Sequence, residues 1–286
     1  MILDLINFAA IFAYFSQFPL LWKGVGVRSL AGRKNTINKL LLKTHRIQCK
    51  PYLQGMKSIL IFTVSLLVIT ACYGQNEENI KKLKFCGYRY KDTAMLRKQL
   101  EQQLAFLQIK NGDTIVDIGS SSGALIGCMN VIADFKNAHF ILVDIDSTCL
   151  NTTKVNNMIA YYENMKGAPF NNSISFVLNG IDSLYLPLNS KRKLMIFNTL
   201  HEIPDKAGII KQMAAVLQTG GEIIITELMA TEKRTIHQGC KKPLMTEEEI
   251  KNLMQDAGFA FKNKVINPIP AKKIRSPYCL FRFVKQ

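Results

Sequence analysis

The chain has 286 residues, 48% of them apolar, so it is long enough for one large domain or two small ones with packed cores. Lysine and arginine number 37 against 21 aspartate and glutamate residues, which gives a formal net charge of +16. This charge is compatible with nucleic acid, anionic lipid or an acidic small substrate. The absence of any aromatic and basic cluster in the sequence argues against a dedicated nucleic-acid-binding protein.

Residues 56–75 have the pattern of a targeting sequence. Residues 59–71 form an apolar run that begins shortly after Met56 and Lys57 and is followed by Cys72 and a polar stretch. This pattern is typical of a bacterial secretory signal peptide, and the residues around Cys72 are typical of a lipoprotein cleavage site. The sequence therefore predicts that residues 56–75 are a signal peptide, a lipoprotein signal or a membrane anchor.

Residues 1–55 have two interpretations. They are either an over-read upstream of a true start at Met56, or they add a membrane span through the mostly apolar residues 5–22. The basic residues before position 59 favour an orientation in which the rest of the chain lies outside the cytoplasmic membrane. We expect a protein that is membrane-associated through this segment or extracytoplasmic. An anchor that leaves the domain facing the cytoplasm is the alternative.

Residues 76–110 are predicted to form a basic arm and an amphipathic helix. Leucines recur at helical spacing, with charged or amide side chains on the other faces, at positions 96, 100, 104 and 107. An Asn-Gly-Asp turn then leads into the first strand of the main domain, which we place at residues 111–286.

Residues 114–123 carry the most informative pattern. An apolar strand with Asp117 near its end is followed by Gly119 and Gly123 and then by a helical pattern that runs to about residue 134. Glycines let a ligand approach the backbone closely, and free N–H groups at a helix start attract an electron-rich ligand. A carboxylate at Asp117 would repel a pyrophosphate but can hold the ammonium group of an amino acid.

Strand and helix patterns alternate along the rest of the chain. Further strands are expected at residues 139–144, 173–178, 193–197, 222–227, after Gly258 and at 278–284; the intervening helices include 155–162, capped by Ser147, and one closed by Gly220 and Gly221. This order specifies an α/β fold with a doubly wound, seven-stranded, mostly parallel sheet and helices on both faces. Asp144 lies at a strand end about twenty residues past Gly123, where a carboxylate can accept hydrogen bonds from both ribose hydroxyls of an adenosine.

The motif around Asp117 resembles the first motif of the class I S-adenosylmethionine-dependent methyltransferases. That motif is a carboxylate followed by three alternating glycines, and here it stands as Asp117, Gly119, Ser121 and Gly123, with serine in the middle glycine place. The resemblance covers about residues 90–286 and implies a Rossmann-like methyltransferase fold with S-adenosyl-L-methionine as cofactor. It assigns cofactor binding to these four residues and to Asp144, Ile145, Ile181, Asp182 and Asn198. It also implies that the arm before the first helix folds over the cofactor pocket as a lid, with a plain surface arm as the alternative.

The loop after the predicted fourth strand indicates what kind of molecule accepts the methyl group. Residues 198–205 are similar to the loop of family members that methylate small molecules, and they lack the Asn/Asp-Pro-Pro-aromatic box of enzymes that methylate nucleobase amines. We therefore expect a small-molecule methyl acceptor, in-line methyl transfer and no DNA substrate. His201 and Glu202 are the candidate catalytic residues, because an acceptor with a high pKa needs a general base.

The seven cysteines do not predict a metal site. No two of them have the spacing of a structural zinc site. His237 and Cys240 are spaced as a pair of metal ligands could be, but the sequence shows no second pair, so no metal is expected. Cys128 and Cys149 lie in apolar helical patterns and are expected to be buried thiols.

An extracytoplasmic location conflicts with the expected cofactor, which is made in the cytoplasm. One alternative function is therefore a non-catalytic methyltransferase-like binding module outside the cytoplasm. Another is a different nucleoside-binding enzyme on the same fold, such as an aminopropyl transferase, although no carboxylate pair for a polyamine is evident. The sequence indicates neither the methylated atom nor the oligomeric state.

Overall fold

The computed structural model describes residues 80, 82–87, 89–90, 92–267 and 276–286. The predicted signal and anchor segments, residues 1–75, lie outside these residues, and what the sequence indicates about them stays a prediction. Among the described residues, no helix combines the length and the apolar character that crossing a membrane requires.

Helices and strands alternate through most of the described chain. The strands are β1 (Thr114–Ile118), β2 (His139–Asp144), β3 (Ser173–Leu178), β4 (Lys191–Phe197), β5 (Leu217–Leu228), β6 (Phe259–Asn267) and β7 (Tyr278–Lys285). The α-helices are α1 (Thr93–Leu107), α2 (Ala124–Ile132), α3 (Thr152–Lys166), α4 (Lys206–Val216) and α5 (Glu247–Asp256), and a 3-10 turn (Leu200–Glu202) follows β4.

The seven strands form one sheet in the order β3-β2-β1-β4-β5-β7-β6. The first five strands along the chain are parallel, and β7 lies antiparallel between β5 and β6. The winding direction reverses between β1 and β4, which is the point where such sheets bind ligands. The predicted doubly wound, mostly parallel, seven-stranded fold is confirmed.

Apolar side chains cover both faces of the sheet. Val116 and Ile118 of β1 belong to a core that packs against α4 and α5. Ile115 and Leu142 belong to a second core, which packs against α2. Because side chains alternate along a strand, Asp117 shares the face of Ile115. A carboxylate therefore stands in an apolar layer, where ionisation is costly without a compensating partner.

Two predicted element boundaries are wrong for local reasons. The N-cap of α3 is Asn151 rather than Ser147, because the Asn151 side chain accepts a hydrogen bond from the Lys154 backbone N–H. β5 begins at Leu217 rather than at residue 222, since Leu217 already pairs with Lys191. A register shift between Lys191 and Lys193 accommodates the extra residues, which include the two glycines.

A disulfide ties the arm before α1 to the sheet domain. Cys86 and Cys149 are 63 residues apart in the chain, and their Cα atoms lie 5.5 Å apart. The prediction that Cys149 is a buried thiol in a helix is therefore wrong, because it lies in the loop between β2 and α3. Cys128 is a free, buried thiol as predicted, and burial raises its pKa to about 12. The Ser122 hydroxyl accepts a hydrogen bond from the Cys86 N–H and donates one to the Cys149 carbonyl.

The described part of the arm also contacts α3. The Arg89 guanidinium lies over the Phe85 ring, 4.4 Å from its centroid, and the Tyr161 hydroxyl donates to the Tyr90 carbonyl at 3.0 Å. Together with the disulfide, these contacts place the arm beside the loop that follows β1. Its action as a lid stays a prediction.

Candidate active site

A crevice of about 450 Å³ opens at the carboxyl ends of the parallel strands. It lies where the winding direction of the sheet reverses, and its volume is that of a small-molecule pocket. Six of the residues predicted from the sequence border it: Gly119, Ser121, Asp144, Ile145, Ile181 and Glu202. The other five do not border it: Asp117, Gly123, Asp182, Asn198 and His201.

The turn after β1 forms one wall of the crevice. Gly119 has a φ of 73°, and its N–H donates to the Val143 carbonyl at 2.8 Å. A Cβ at Gly119 would lie 2.2 Å from the Thr199 Cγ2, so only glycine fits between β1 and the loop after β4. Ser121 has a φ of 53°, a left-handed conformation that costs residues other than glycine about 1 kcal/mol or more. The predicted turn is thus formed with serine in the middle glycine place.

Asp144 holds this turn and also faces the crevice. Its Oδ2 accepts a hydrogen bond from the Ser121 N–H at 2.7 Å, and its Oδ1 accepts one from the Asp146 N–H at 2.9 Å. Each carboxylate oxygen can accept a second hydrogen bond, so two ligand hydroxyls can bind without displacing these contacts. The carboxylate is therefore held in a fixed orientation toward a ligand in the crevice.

Asp117 lies behind the crevice rather than in its wall. The residue is 2% exposed. Burial, and secondly the charge of Asp144, raises the pKa of the Asp117 carboxyl well above its usual range. A cation bound nearby would favour the ionised form. Contact between Asp117 and a ligand ammonium group stays a prediction.

We expect the Asp117→Asn variant to be more stable than the unchanged protein at neutral pH when no nucleoside is bound. The folded-state pKa of Asp117 is raised, so its contribution to the free energy of unfolding is fully present below the unfolded-state pKa of about 4 and is lost as the pH rises through the folded-state pKa. Asparagine does not titrate, so the advantage of the variant should grow with pH. Denaturant unfolding at a series of pH values measures it, with the exposed Asp256→Asn as the control for one lost charge. A difference between Asp117→Asn and the unchanged protein that is constant with pH would contradict this expectation.

Three other predicted residues are described by their backbone contacts and conformations. Asp182 is exposed, and its carbonyl accepts a hydrogen bond from the Gln212 amide. Asn198 has a φ of 51°, and its N–H donates to the Thr226 carbonyl at 2.6 Å. Gly123 is the N-cap of α2, where a Cβ would lie 2.5 Å from the Leu142 Cδ1. Their roles in cofactor binding stay predictions.

Sequence reasoning missed residues that directly follow the ends of strands. Asn179 and Gly180 border the crevice just after β3, and Thr199 borders it one residue after Asn198. The Asn179 N–H donates to the Asp144 carbonyl at 2.8 Å, which brings this loop against the end of β2. The position at a strand end was the available signal, but it does not fix which residue of the loop meets the ligand.

A cluster of four polar side chains lies near the crevice, and one of its members, Glu202, borders it. We call His201, Glu202, His237 and Cys240 the histidine–cysteine cluster. The first two belong to the 3-10 turn after β4, and the last two belong to the loop between β5 and α5. The Cys240 Sγ lies 3.3 Å from the His201 Nε2 and 3.1 Å from the His237 Nδ1.

The two candidate catalytic residues are placed differently. His201 is buried; its Nδ1 lies 2.8 Å from the Glu227 Oε2, and its backbone N–H donates to the Glu227 Oε1 at 3.3 Å. The Glu202 side chain is 47% exposed and borders the crevice. Glu202 can therefore meet a ligand directly, whereas both ring nitrogens of His201 contact protein atoms. A general-base role for His201 stays a prediction.

The surroundings of His237 favour its neutral form. Partial burial, followed by the nearby charges of His201 and Arg234, lowers the pKa of the His237 imidazole, although Glu202 and Glu227 act in the opposite direction. A neutral imidazole has a free lone pair. Such a group can accept a proton or bind a metal.

A second crevice of similar volume lies at the opposite edge of the sheet. It is bordered by residues such as Lys110, Asp113 and Lys193, at the amino ends of β1 and β4. Doubly wound sheets bind their ligands at the carboxyl ends of the strands. The crevice beside Asp144 is therefore the candidate active site.

Comparison with solved structures finds chains of low sequence identity that are similar to this one. Similar solved structures include a SAM-dependent methyltransferase from Aquifex aeolicus, with 15% identity, a TM-score of 0.46, and coverage of 68% of this chain and 100% of that one. Another is a SAM-dependent methyltransferase from Methanosarcina mazei, with 17% identity, a TM-score of 0.46, and coverage of 64% and 96%. A third is the complex of the Haloferax volcanii Trm112 methyltransferase activator with a methyltransferase, with 15% identity, a TM-score of 0.49, and coverage of 69% and 99%.

The family itself is shown by sequence. No curated protein matches the chain. Residues 109–258, just over half of the chain, match the family described as Methyltransferase domain. The matched span begins just before β1, ends just after α5 and contains every residue that borders the crevice described above. The chain therefore belongs to the methyltransferase domain family.

Proposed function

We propose that this protein transfers a methyl group from S-adenosylmethionine to a small-molecule acceptor, and that the donor binds in the crevice beside Asp144. Family membership supports methyl transfer. The observation that carries the proposal is the convergence of the Gly119 turn, the Asp144 carboxylate and the loop at residues 179–181 on one crevice.

The residues of the crevice fit an adenosyl compound. Asp144 offers a carboxylate with free lone pairs for the two ribose hydroxyls. Ile145 and Ile181 are 58% and 68% exposed, and both border the crevice, so their apolar side chains can cover a flat adenine ring. Burial of this apolar surface would favour binding.

The chemistry places few demands on the protein. S-adenosylmethionine supplies an electrophilic methyl group on a sulfonium sulfur. The chain must hold an acceptor nucleophile in line with that group, since alignment alone removes much of the barrier. Glu202, half exposed at the edge of the crevice, can accept a proton from the acceptor.

We also propose that the domain works outside the cytoplasm or at a membrane. The signal-like residues 56–75 support this location, as does the Cys86–Cys149 disulfide, because disulfides persist in oxidising compartments. The same disulfide favours the second candidate function, a methyltransferase-like binding module outside the cytoplasm, where the donor is scarce.

A turnover assay separates the two functions. The full chain is incubated with S-adenosylmethionine labelled on the methyl group, together with a small-molecule extract or with DNA. We expect label on a small molecule and an equal amount of S-adenosylhomocysteine, no label on DNA, and far less transfer by the Asp144→Ala control at a donor concentration below saturation. Tight binding of the donor without S-adenosylhomocysteine in any mixture would refute the enzyme and support the binding module.

A further inference from the structure

We propose that the histidine–cysteine cluster binds one zinc ion through His201, His237 and Cys240, with Glu202 in the fourth position. The four side chains come from two segments that are far apart in the chain, and each offers one donor atom. These atoms all lie within 4.8 Å of one another. Zinc binding does not depend on the proposed methyl transfer.

The distances between donor atoms match a tetrahedral site. Zinc bonds of about 2.0–2.3 Å in a tetrahedron place neighbouring ligand atoms about 3.3–3.8 Å apart. In the cluster, the Cys240 Sγ lies 3.3 Å from the His201 Nε2 and 3.1 Å from the His237 Nδ1. The Glu202 Oε1 lies 3.7 Å from the same His201 nitrogen. All four donor atoms lie within 4.8 Å of one another, so a bound ion would draw the most widely separated donors closer together.

Glu227 prepares His201 as a ligand. Its carboxylate lies 2.8 Å from the His201 Nδ1, so the proton of the neutral ring is assigned to Nδ1 and the lone pair to Nε2, the nitrogen nearest Cys240. Histidines that bind metals generally donate their other N–H to a carboxylate or a carbonyl in this way. Glu227 is 1% exposed, which keeps this orientation fixed. We assign Glu227 as a positioning residue.

The donor set favours zinc over other common divalent ions. Two imidazole nitrogens, one thiolate and one carboxylate are the ligand types that zinc takes in proteins. Magnesium and calcium require mostly oxygen ligands, and the cluster offers one carboxylate. Binding would release the thiol proton of Cys240 to solvent, since the thiolate is the ligand.

A nucleophilic cysteine is the competing explanation. Cys240, His201 and Glu227 have the order of a nucleophile, a base and an orienting carboxylate. A nucleophile needs one base, however, and here a second imidazole, that of His237, lies 3.1 Å from the same sulfur. The Glu202 carboxylate lies 3.7 Å from the same His201 nitrogen that faces Cys240. Four potential donor atoms within 4.8 Å of one another fit a ligand set better than a nucleophile with a single base.

The position of Glu202 connects the proposed zinc site with the crevice. Catalytic zinc sites keep one exchangeable position, whereas structural sites are closed by four protein ligands. Glu202 borders the crevice with its side chain 47% exposed, while His201 is buried. Exchange of Glu202 for a group of the acceptor is the part of this inference that rests on the proposed function.

Metal titration of the full chain tests the site. The chain is stripped with a chelator, titrated with Zn²⁺ and analysed for bound metal by mass spectrometry, without added nucleoside. We expect one zinc per chain, which Cys240→Ser and His237→Gln lose. Glu227→Gln should weaken zinc affinity by about 10–100-fold. His139→Gln is the matched control, because His139 lies on β2 outside the cluster, and it should retain the metal.

Cobalt replacement gives a second readout, which reports whether the cysteine sulfur is a ligand of the metal. Co²⁺ bound to the unchanged chain and to His139→Gln should show a sulfur-to-cobalt charge-transfer band, and Cys240→Ser should not; circular dichroism checks that each variant is folded. Less than stoichiometric zinc, or zinc that all cluster variants retain, would overturn the proposal. Rapid alkylation of Cys240 that excess Zn²⁺ does not slow would overturn it in favour of the nucleophile. These experiments contain no nucleoside, so none of these outcomes would count against the proposed binding of S-adenosylmethionine.

Discussion

Replacing both Cys86 and Cys149 with serine should lower the free energy of unfolding by about 4 kcal/mol, the largest loss of stability that we expect from a change at the site. The disulfide joins residues 63 positions apart, so it removes much of the conformational freedom of the unfolded chain. It also fixes the arm against the loop after β1, where the Ser122 hydroxyl bonds to both cysteine backbones.

Thermal unfolding measures this effect. For a domain of this size, the loss corresponds to a Tm lower by about 8–16 °C. Reductant should lower the Tm of the unchanged chain toward that of the double variant and leave the Tm of the variant unchanged. Mass spectrometry without reduction should recover a peptide pair linked through Cys86 and Cys149. Equal Tm values for the oxidised chain and the variant would show that the disulfide does not stabilise the fold.

Changing Asp144 to alanine should weaken S-adenosylmethionine binding by about a hundredfold or more. In the proposed complex, the variant would lose two hydrogen bonds from ribose hydroxyls to a charged acceptor, each worth about 1.5–3 kcal/mol. It also loses the contact that holds the Ser121 N–H, so the turn that forms the crevice wall is less well fixed. Both effects reduce binding and neither touches the core.

Calorimetric titration of the full chain with S-adenosylmethionine checks this expectation. His201→Ala should change the affinity far less, because His201 is buried and does not border the crevice. Asp134→Ala, which removes an exposed carboxylate beyond α2, controls for the loss of charge. Equal titration curves for Asp144→Ala and His201→Ala would refute the assignment of Asp144 to the cofactor.

Local patterns were enough to predict the fold and part of the crevice. A continuous apolar run placed β2 and apolar alternation placed β3 at their observed bounds, and the glycines around Ser121 predicted the turn after β1. The place of Asp144 beside the crevice could be predicted, because the residue lies at the carboxyl end of a parallel strand, where such sheets bind ligands. The place of Asn198 could not be predicted in the same way. Its backbone is left-handed, and the residue that borders the crevice is the next one, Thr199.

The remaining features depend on contacts between distant parts of the chain. Nothing near Cys86 in the sequence indicates that it pairs with Cys149, which lies 63 residues further along the chain. Likewise, His237 and Cys240 form an isolated pair in the sequence, and the 3-10 turn after β4 supplies the other two members of the cluster. Asp117 shows the opposite case: the motif is visible in the sequence, but its burial behind the crevice requires the sheet.

The central claim is that the crevice beside Asp144 holds an adenosyl methyl donor. A crystal structure of the full chain grown with S-adenosylmethionine tests it most directly. We predict ribose hydroxyls within hydrogen-bonding distance of the Asp144 carboxylate and the adenine ring against Ile145 or Ile181. A nucleoside bound elsewhere on the protein, or an empty crevice at a saturating donor concentration, would contradict the account.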